Sequence, residues 1–230
     1  MSNALAYIFA VPALAGVITL AVREHRRLRA SRRALLQDCT GVLDAGVITY
    51  GGDDFPGLSG SWRGRPAHVR LIPDTLTIRR LPQLWLSVTW LAPMPQRAAF
   101  AALQRHSGYE FYGLTAGFEH RLEPPPGLPT EMLIRGNGPD AQRLLDRMAA
   151  PLRAIFADPL VKEVAVTPKG LRIVRQADEG RRGEHLLLRQ AVFDNAQVPP
   201  ADIERALEQM AELRGATAAT TIKTQGVQAA

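Results

Sequence analysis

Four of the five histidines, one cysteine and several glycine-rich turns are the residues with chemical potential outside the first 33 residues of this chain. His68, His106, His120 and His185 are scattered, and no pair has the spacing that puts two imidazoles on one helix face. A single cysteine, Cys39, cannot complete a thiolate metal site or an intrachain disulfide. No metal or cofactor is therefore expected. A hydrolytic centre using His and Asp would have to converge from separate elements.

Gly136-Asn137-Gly138-Pro139-Asp140-Ala141 fits the G-x-G-x-x-A pattern whose backbone amides cradle a pyrophosphate between a strand and a helix. Two features oppose that use. Pro139 lacks one of the needed amides, and Asp140 would set a carboxylate beside the phosphate. A capped strand-to-helix turn is the better reading. Gly57-Leu58-Ser59-Gly60-Ser61 approaches a nucleophile elbow but ends on Ser61, and reads as a turn between strands. Asp53-Asp54, in a glycine-rich loop, could bind a cation weakly or form a solvated turn. Arg79-Arg80 and Arg181-Arg182 are small basic spots. Trp85 is expected to point away from the face formed by Leu84, Leu86 and Trp90. With Leu91 it forms a candidate partner contact if that face is open, and packing in the core under a helix is the better reading.

The clearest signal lies at the start of the chain. Ala4 to Val22 holds 19 residues without a charge, followed at once by Arg23, Arg26, Arg27, Arg29, Arg32 and Arg33. As a helix that run spans roughly 29 Å, close to the hydrocarbon thickness of a bilayer. A cleaved signal peptide would carry its positive charge before the apolar run, whereas Met1, Ser2 and Asn3 bear no side-chain charge. The pattern predicts a single-pass anchor over 1–22 and a basic juxtamembrane helix over 23–39. The positive-inside rule then sets the N-terminus outside and the rest in the cytoplasm, at the inner membrane of a bacterial cell. The six arginines are candidate contacts for anionic lipid headgroups. Cys39, close after them, is a conceivable palmitoylation site, though a plain small residue is the better reading.

Charge distribution argues against nucleic acid as a partner. The chain carries a formal net charge of +6, but residues 23–33 hold six Arg and one Glu. The other 22 basic residues face 21 acidic ones, so the remainder is nearly neutral. A nucleic-acid binder would show a basic stripe on the folded domain itself.

The elements that must position these groups form an α+β domain over 40–214: an antiparallel sheet packed by two or three helices. Within 41–92, short apolar runs are punctuated by Gly51-Gly52, Pro56-Gly57, Gly64, Pro73-Asp74 and Pro82. Val69 and Leu71 alternate with His68 and Arg70. Leu76 and Ile78 do the same after a turn at Pro73-Asp74, and Leu84, Leu86, Val88 and Trp90 line one face of a longer strand. Such neighbours with short links make an antiparallel meander. A short helix is expected over 96–106, with Phe100 and Leu103 on one side.

Phe118, His120 and Leu122 alternate again. Pro124-Pro125-Pro126-Gly127-Leu128-Pro129 is a stiff connector that could divide two subdomains at 124–129. Met132 and Ile134 then mark a strand, and Pro139 opens a helix that Pro151 should kink or divide. Val164, Val166, Leu171 and Ile173 flank a turn at Thr167-Pro168-Lys169-Gly170, an expected hairpin. A strand near 185–193 and a closing helix with Ile203, Leu207, Met210 and Leu213 on one face complete the domain. Residues 215–230, with one charge, are expected to form a loose tail.

With an anchor, a neutral domain and no convincing catalytic constellation, the expectation is a non-enzymatic accessory or scaffold protein. It would hold a protein partner, or a second copy, at the membrane. The alternative is a tethered enzyme, hydrolase-like, whose site is assembled only in three dimensions.

Overall fold

The computed structural model describes residues 2–75, 81–129, 131–182, 193 and 197–227, with backbone alone for 2–10 and 218–227. One nine-stranded sheet organises the chain. Its strands are β1 (Asp44–Tyr50), β2 (Pro56–Trp62), β3 (Arg65–Asp74), β4 (Gln83–Trp90), β5 (Phe100–Gln104), β6 (His120–Arg121), β7 (Met132–Gly136), β8 (Val161–Thr167) and β9 (Gly170–Glu179). Their spatial order is β1-β2-β3-β4-β9-β8-β5-β7-β6, and every pairing is antiparallel. The described helices are α1 (Ser2–Ala34), α2 (Pro139–Arg147), α3 (Ala149–Phe156) and α4 (Pro200–Val227). The fold is thus α+β with a large antiparallel sheet.

Alternation along the strands divides the sheet into two unlike faces. On one, Leu58, Val69, Leu86, Val88, Trp90, Phe100, Ile134, Val164 and Ile173 form a continuous core with Leu144, Leu145, Leu152 and Ile155 of α2 and α3. Ile203, Leu207, Met210 and Leu213, one stripe of α4, close it. Burying each such side chain contributes about 1.5–3 kcal/mol relative to leaving it in water. Pro151 ends one helical stretch and sits inside the next, as α2 gives way to α3 through Met148.

The β8–β9 hairpin turns where expected, and only glycine fits its last position. Gly170 has φ +155°, and a Cβ there would meet the Trp90 carbonyl at 2.1 Å.

Several expectations change. Residues 100–104 form β5, not part of a helix over 96–106. Phe100 to Leu103 are fully buried on both faces, between β8 and β7, and small alanines suit such a central strand. Their helix-compatible spacing was decided by neighbours distant in sequence. Residues 57–61 lie inside β2, where Leu58 is buried, not in a turn. β3 likewise runs through Pro73-Asp74. The proline-rich segment 124–129 joins β6 to β7, which pair with each other in the one sheet. α4 continues past residue 214, where Thr217 is buried, so the expected tail begins as helix. The expected strand positions Leu76 and Ile78 lie outside the described residues, as does most of 185–193.

Among the described residues no helix is long and apolar enough to cross a membrane. The first part of the expected anchor, residues 4–10, has no described side chains. The described structure therefore does not support the expected transmembrane span. From Val11 to Val22 every residue of α1 is exposed, including Val11, Leu14, Val17, Ile18 and Leu20.

Candidate functional site

The chain leaves α1 and enters the domain through an arginine-carboxylate clamp. The β1–β2 turn, Gly51 to Phe55, presents Asp54 in a left-handed conformation (φ +63°). Its Oδ2 lies 2.6 Å from Arg29 Nε, and its Oδ1 accepts from Arg33 Nη2 at 2.8 Å. Arg29 and Arg33 are one helical turn apart, so a single carboxylate reaches both. The hydrogen bond from Arg29, reinforced by Arg33, holds the Asp54 carboxyl down at about 2 despite partial desolvation. Arg32 stacks over Phe55 (5.3 Å) and Arg33 over Tyr50 (5.1 Å).

This geometry divides the six arginines. Arg29, Arg32 and Arg33 fasten the helix to the sheet. Arg23, Arg26 and Arg27 make no ion pair among the described residues and are exposed. The sequence pattern treated all six as headgroup contacts. Half have a structural duty that only the fold reveals, because Asp54 lies 21 residues beyond Arg33.

Asp54 is consequently no cation ligand, and Asp53 instead accepts from the Phe55 amide. Beyond α1, Leu35 and Leu36 enter the core, and the Val198 amide donates to the Leu35 carbonyl at 2.7 Å. Cys39 is fully buried there, its thiol 3.2 Å from the Val198 carbonyl, and burial pushes it up to about 11. A thiol so placed is not available for acylation.

Trp85 is not a surface residue. It is 3% exposed, packed against Val174 and 5.4 Å from the Tyr112 ring. It does point away from Leu84 and Leu86, as alternation requires, but the loop 105–118 covers that face. No local pattern announces such a cover. Leu91 stays exposed, in a shallow groove with Leu114 and Lys169. Tyr109 and Phe111, also exposed, stand on the same loop.

The loop is pinned by buried charge. Glu110 pairs with Lys162 at 2.9 Å, both nearly inaccessible, and accepts from the Ser107 amide and hydroxyl. Burial raises the Glu110 carboxyl, but the bonds from Ser107 and Lys162 outweigh it and bring it to about 2. Glu163, wholly buried, pairs with Arg172 and accepts from the Leu114 amide, while Arg172 donates to the Tyr112 carbonyl.

The remaining candidates resolve in place. Ser59 and His68, cross-strand neighbours on β2 and β3, meet at 3.1 Å between Oγ and Nδ1. They line a cleft of about 320 Å³ with Asp53 and Arg70. His106 contacts Glu110, and His120 is exposed on β6. His185 and Arg79-Arg80 lie outside the described residues, and Arg181 and Arg182 are at the surface. Among the described residues no three His, Cys, Asp or Glu side chains gather as a metal site. The 136–141 turn packs internally: a Cβ at Gly136 would meet the Ala141 Cβ at 2.5 Å. The glycine serves strand-to-helix packing, and β7 has antiparallel neighbours on both sides.

No known protein family matches the chain, and no curated protein matches it in sequence.

Proposed function

We propose that this protein is a membrane-anchored accessory or scaffold protein whose domain is held at a fixed attitude to the bilayer and engages a protein partner there. The observation that carries the reading is α1 itself. Its apolar stretch is exposed throughout Val11–Val22, while its basic end is locked onto the domain by Asp54. A run of exposed Val, Leu and Ile is unfavourable in water, and a bilayer offers it a matching solvent. Residues 1–22 form the single span, the N-terminus lies outside, and the domain lies in the cytoplasm at the bacterial inner membrane. Arg23, Arg26 and Arg27 meet anionic headgroups, each contributing about 1 kcal/mol near the surface. Leu91, Tyr109, Phe111 and Leu114 form the partner-facing surface, and tethering raises the effective concentration of a weak binder.

The test is carbonate extraction of membranes containing the full chain. The protein stays in the pellet, and Val17→Arg, which costs about 2.5–3.5 kcal/mol in the middle of a span, moves much of it to the supernatant. A wild-type chain released by carbonate would end the anchor reading. For the partner, a stoichiometric companion recovered in mild detergent is lost with Phe111→Ser/Leu114→Ser.

One observation favours a second reading, a tethered hydrolase: the Ser59–His68 contact in a cleft. Turnover of an activated ester that disappears with Ser59→Ala would favour it over the scaffold.

A further inference from the structure

We propose that the end of the sheet opposite the arginine clamp binds a small organic anion, an aromatic or acyl body carrying a phosphate or carboxylate. The inference is independent of the anchor and scaffold reading. Trp62, Arg65, Ala67 and Trp90 are in register at this end, whereas Asp54 and Pro56 stand at the other end of the β1–β2 hairpin. Here the β2–β3 turn, the segment after β4 and α4 enclose a cleft of about 620 Å³, the size of a small-molecule site.

Its lining has two chemical parts. Trp90, Pro93, Met94, Pro95 and Ala211 form an apolar floor. Arg63, Arg65 and Arg214 supply three guanidinium groups, and among the described residues no acidic side chain lines the cleft. Only Arg63 is neutralised, by a pair of hydrogen bonds to Glu208 from the neighbouring surface of α4, at 2.7 and 2.8 Å. Arg63 also stacks on Trp62 at 4.2 Å. Arg65 has no hydrogen bond or ion pair among the described residues. Arg214 sits over the Trp90 ring at 5.9 Å, and its Nε is buried with no hydrogen-bond partner among the described residues.

A buried, unpartnered N–H on a permanently charged group is costly. Two uncompensated guanidinium groups beside one apolar floor add mutual repulsion. An anionic headgroup answers both, since arginine's planar fork fits phosphate and carboxylate. The floor of Trp90, Met94 and the prolines takes the apolar body. A bare inorganic ion would leave that floor wet, and a neutral aromatic would leave the arginines unsatisfied.

The test uses the full chain in detergent micelles, labelled with 5-fluorotryptophan, so that Trp62, Trp85 and Trp90 each give a fluorine signal. Phenyl phosphate is the probe. The Trp90 and Trp62 signals move saturably, and Trp85, on the other face of the sheet, does not. Affinity falls by about tenfold or more in Arg65→Gln and in Arg214→Gln, as expected for losing a charged hydrogen bond. Inorganic phosphate and benzyl alcohol each bind about tenfold more weakly than phenyl phosphate. An unshifted Trp85 signal certifies the fold of each variant, and Arg65→Lys provides a second substitution that keeps the charge and weakens binding less than Arg65→Gln. Absence of a saturable shift at Trp90, wild-type affinity in Arg65→Gln and Arg214→Gln, or parallel movement of Trp85 would each overturn the proposal.

Discussion

The two faces of the sheet solve the same problem with different chemistry. Along β4, Leu84, Leu86, Val88 and Trp90 pack under helices, while Trp85, Ser87 and Thr89 face the loop 105–118 and its buried charges. The helix-covered face is an apolar core of ordinary kind, non-directional and tolerant of local rearrangement. The loop-covered face depends on geometry: Glu163 must meet Arg172 and Leu114, and Glu110 must meet Lys162 and Ser107. Buried ion pairs add little net stability but strongly penalise the loss of one partner. The loop face therefore acts less as a store of stability than as a device that fixes where Tyr109, Phe111 and Leu114 are displayed.

The largest predicted effect tests that difference. Glu163→Ala strands the Arg172 charge in the interior and lowers the unfolding free energy by about 3–5 kcal/mol in urea titration. The double change Glu163→Leu/Arg172→Met recovers most of that loss while leaving the loop susceptible to protease. If the double variant is as unstable as the single one, the two faces do not differ as described.

On the helix-covered face, Leu207→Ala costs about 2–5 kcal/mol by the same measurement. No second substitution on the loop face rescues it, because the deficit is a cavity.

A smaller effect follows from pH. Glu110 titrates at about 2 instead of its ordinary 4.5, so its contribution is complete above about 4.5 and is lost as pH falls towards 2. Amide exchange in 105–118 should be faster in Glu110→Gln than in wild type at pH 7, and that difference should shrink steadily as pH falls from about 4.5 towards 2. A difference as large at pH 2 as at pH 7 would mean the carboxylate is not what holds the loop.

The smallest effect concerns the clamp. Asp54→Asn leaves the melting temperature of the domain unchanged within error, since the pairs with Arg29 and Arg33 are solvent-facing. It does accelerate tryptic cleavage at Arg29 and Arg33. Equal cleavage in both proteins would show that α1 is held by Leu35 and Leu36 alone.

Much of the helix-covered face was legible in the sequence because its signals are local. Val69 and Leu71 alternate, Leu84 to Trp90 alternate, the helix divides at Met148 with Pro151 in the first turn of α3, and α4 keeps its stripe through Leu213. What was not legible depends on partners distant in sequence. Phe100 to Leu103 became a strand because β7 and β8 flank it. Trp85 was placed on the correct side of β4, but its cover comes from Tyr112. The clamp needed Asp54 and the arginines brought together by folding. The arginine-lined cleft joins Arg63 and Arg65 to Arg214 from the far end of the chain. No spacing rule links those three residues.

The burial of Cys39 has a practical consequence. It is the sole cysteine of the chain, and its depth and raised thiol silence it towards alkylating reagents under native conditions. The natural protein is thus already a blank background for site-directed labelling. A single thiol introduced anywhere from Val11 to Arg33 would report its own surroundings, read as accessibility to water-soluble and lipid-soluble maleimides, without removing the native residue or disturbing the core around it.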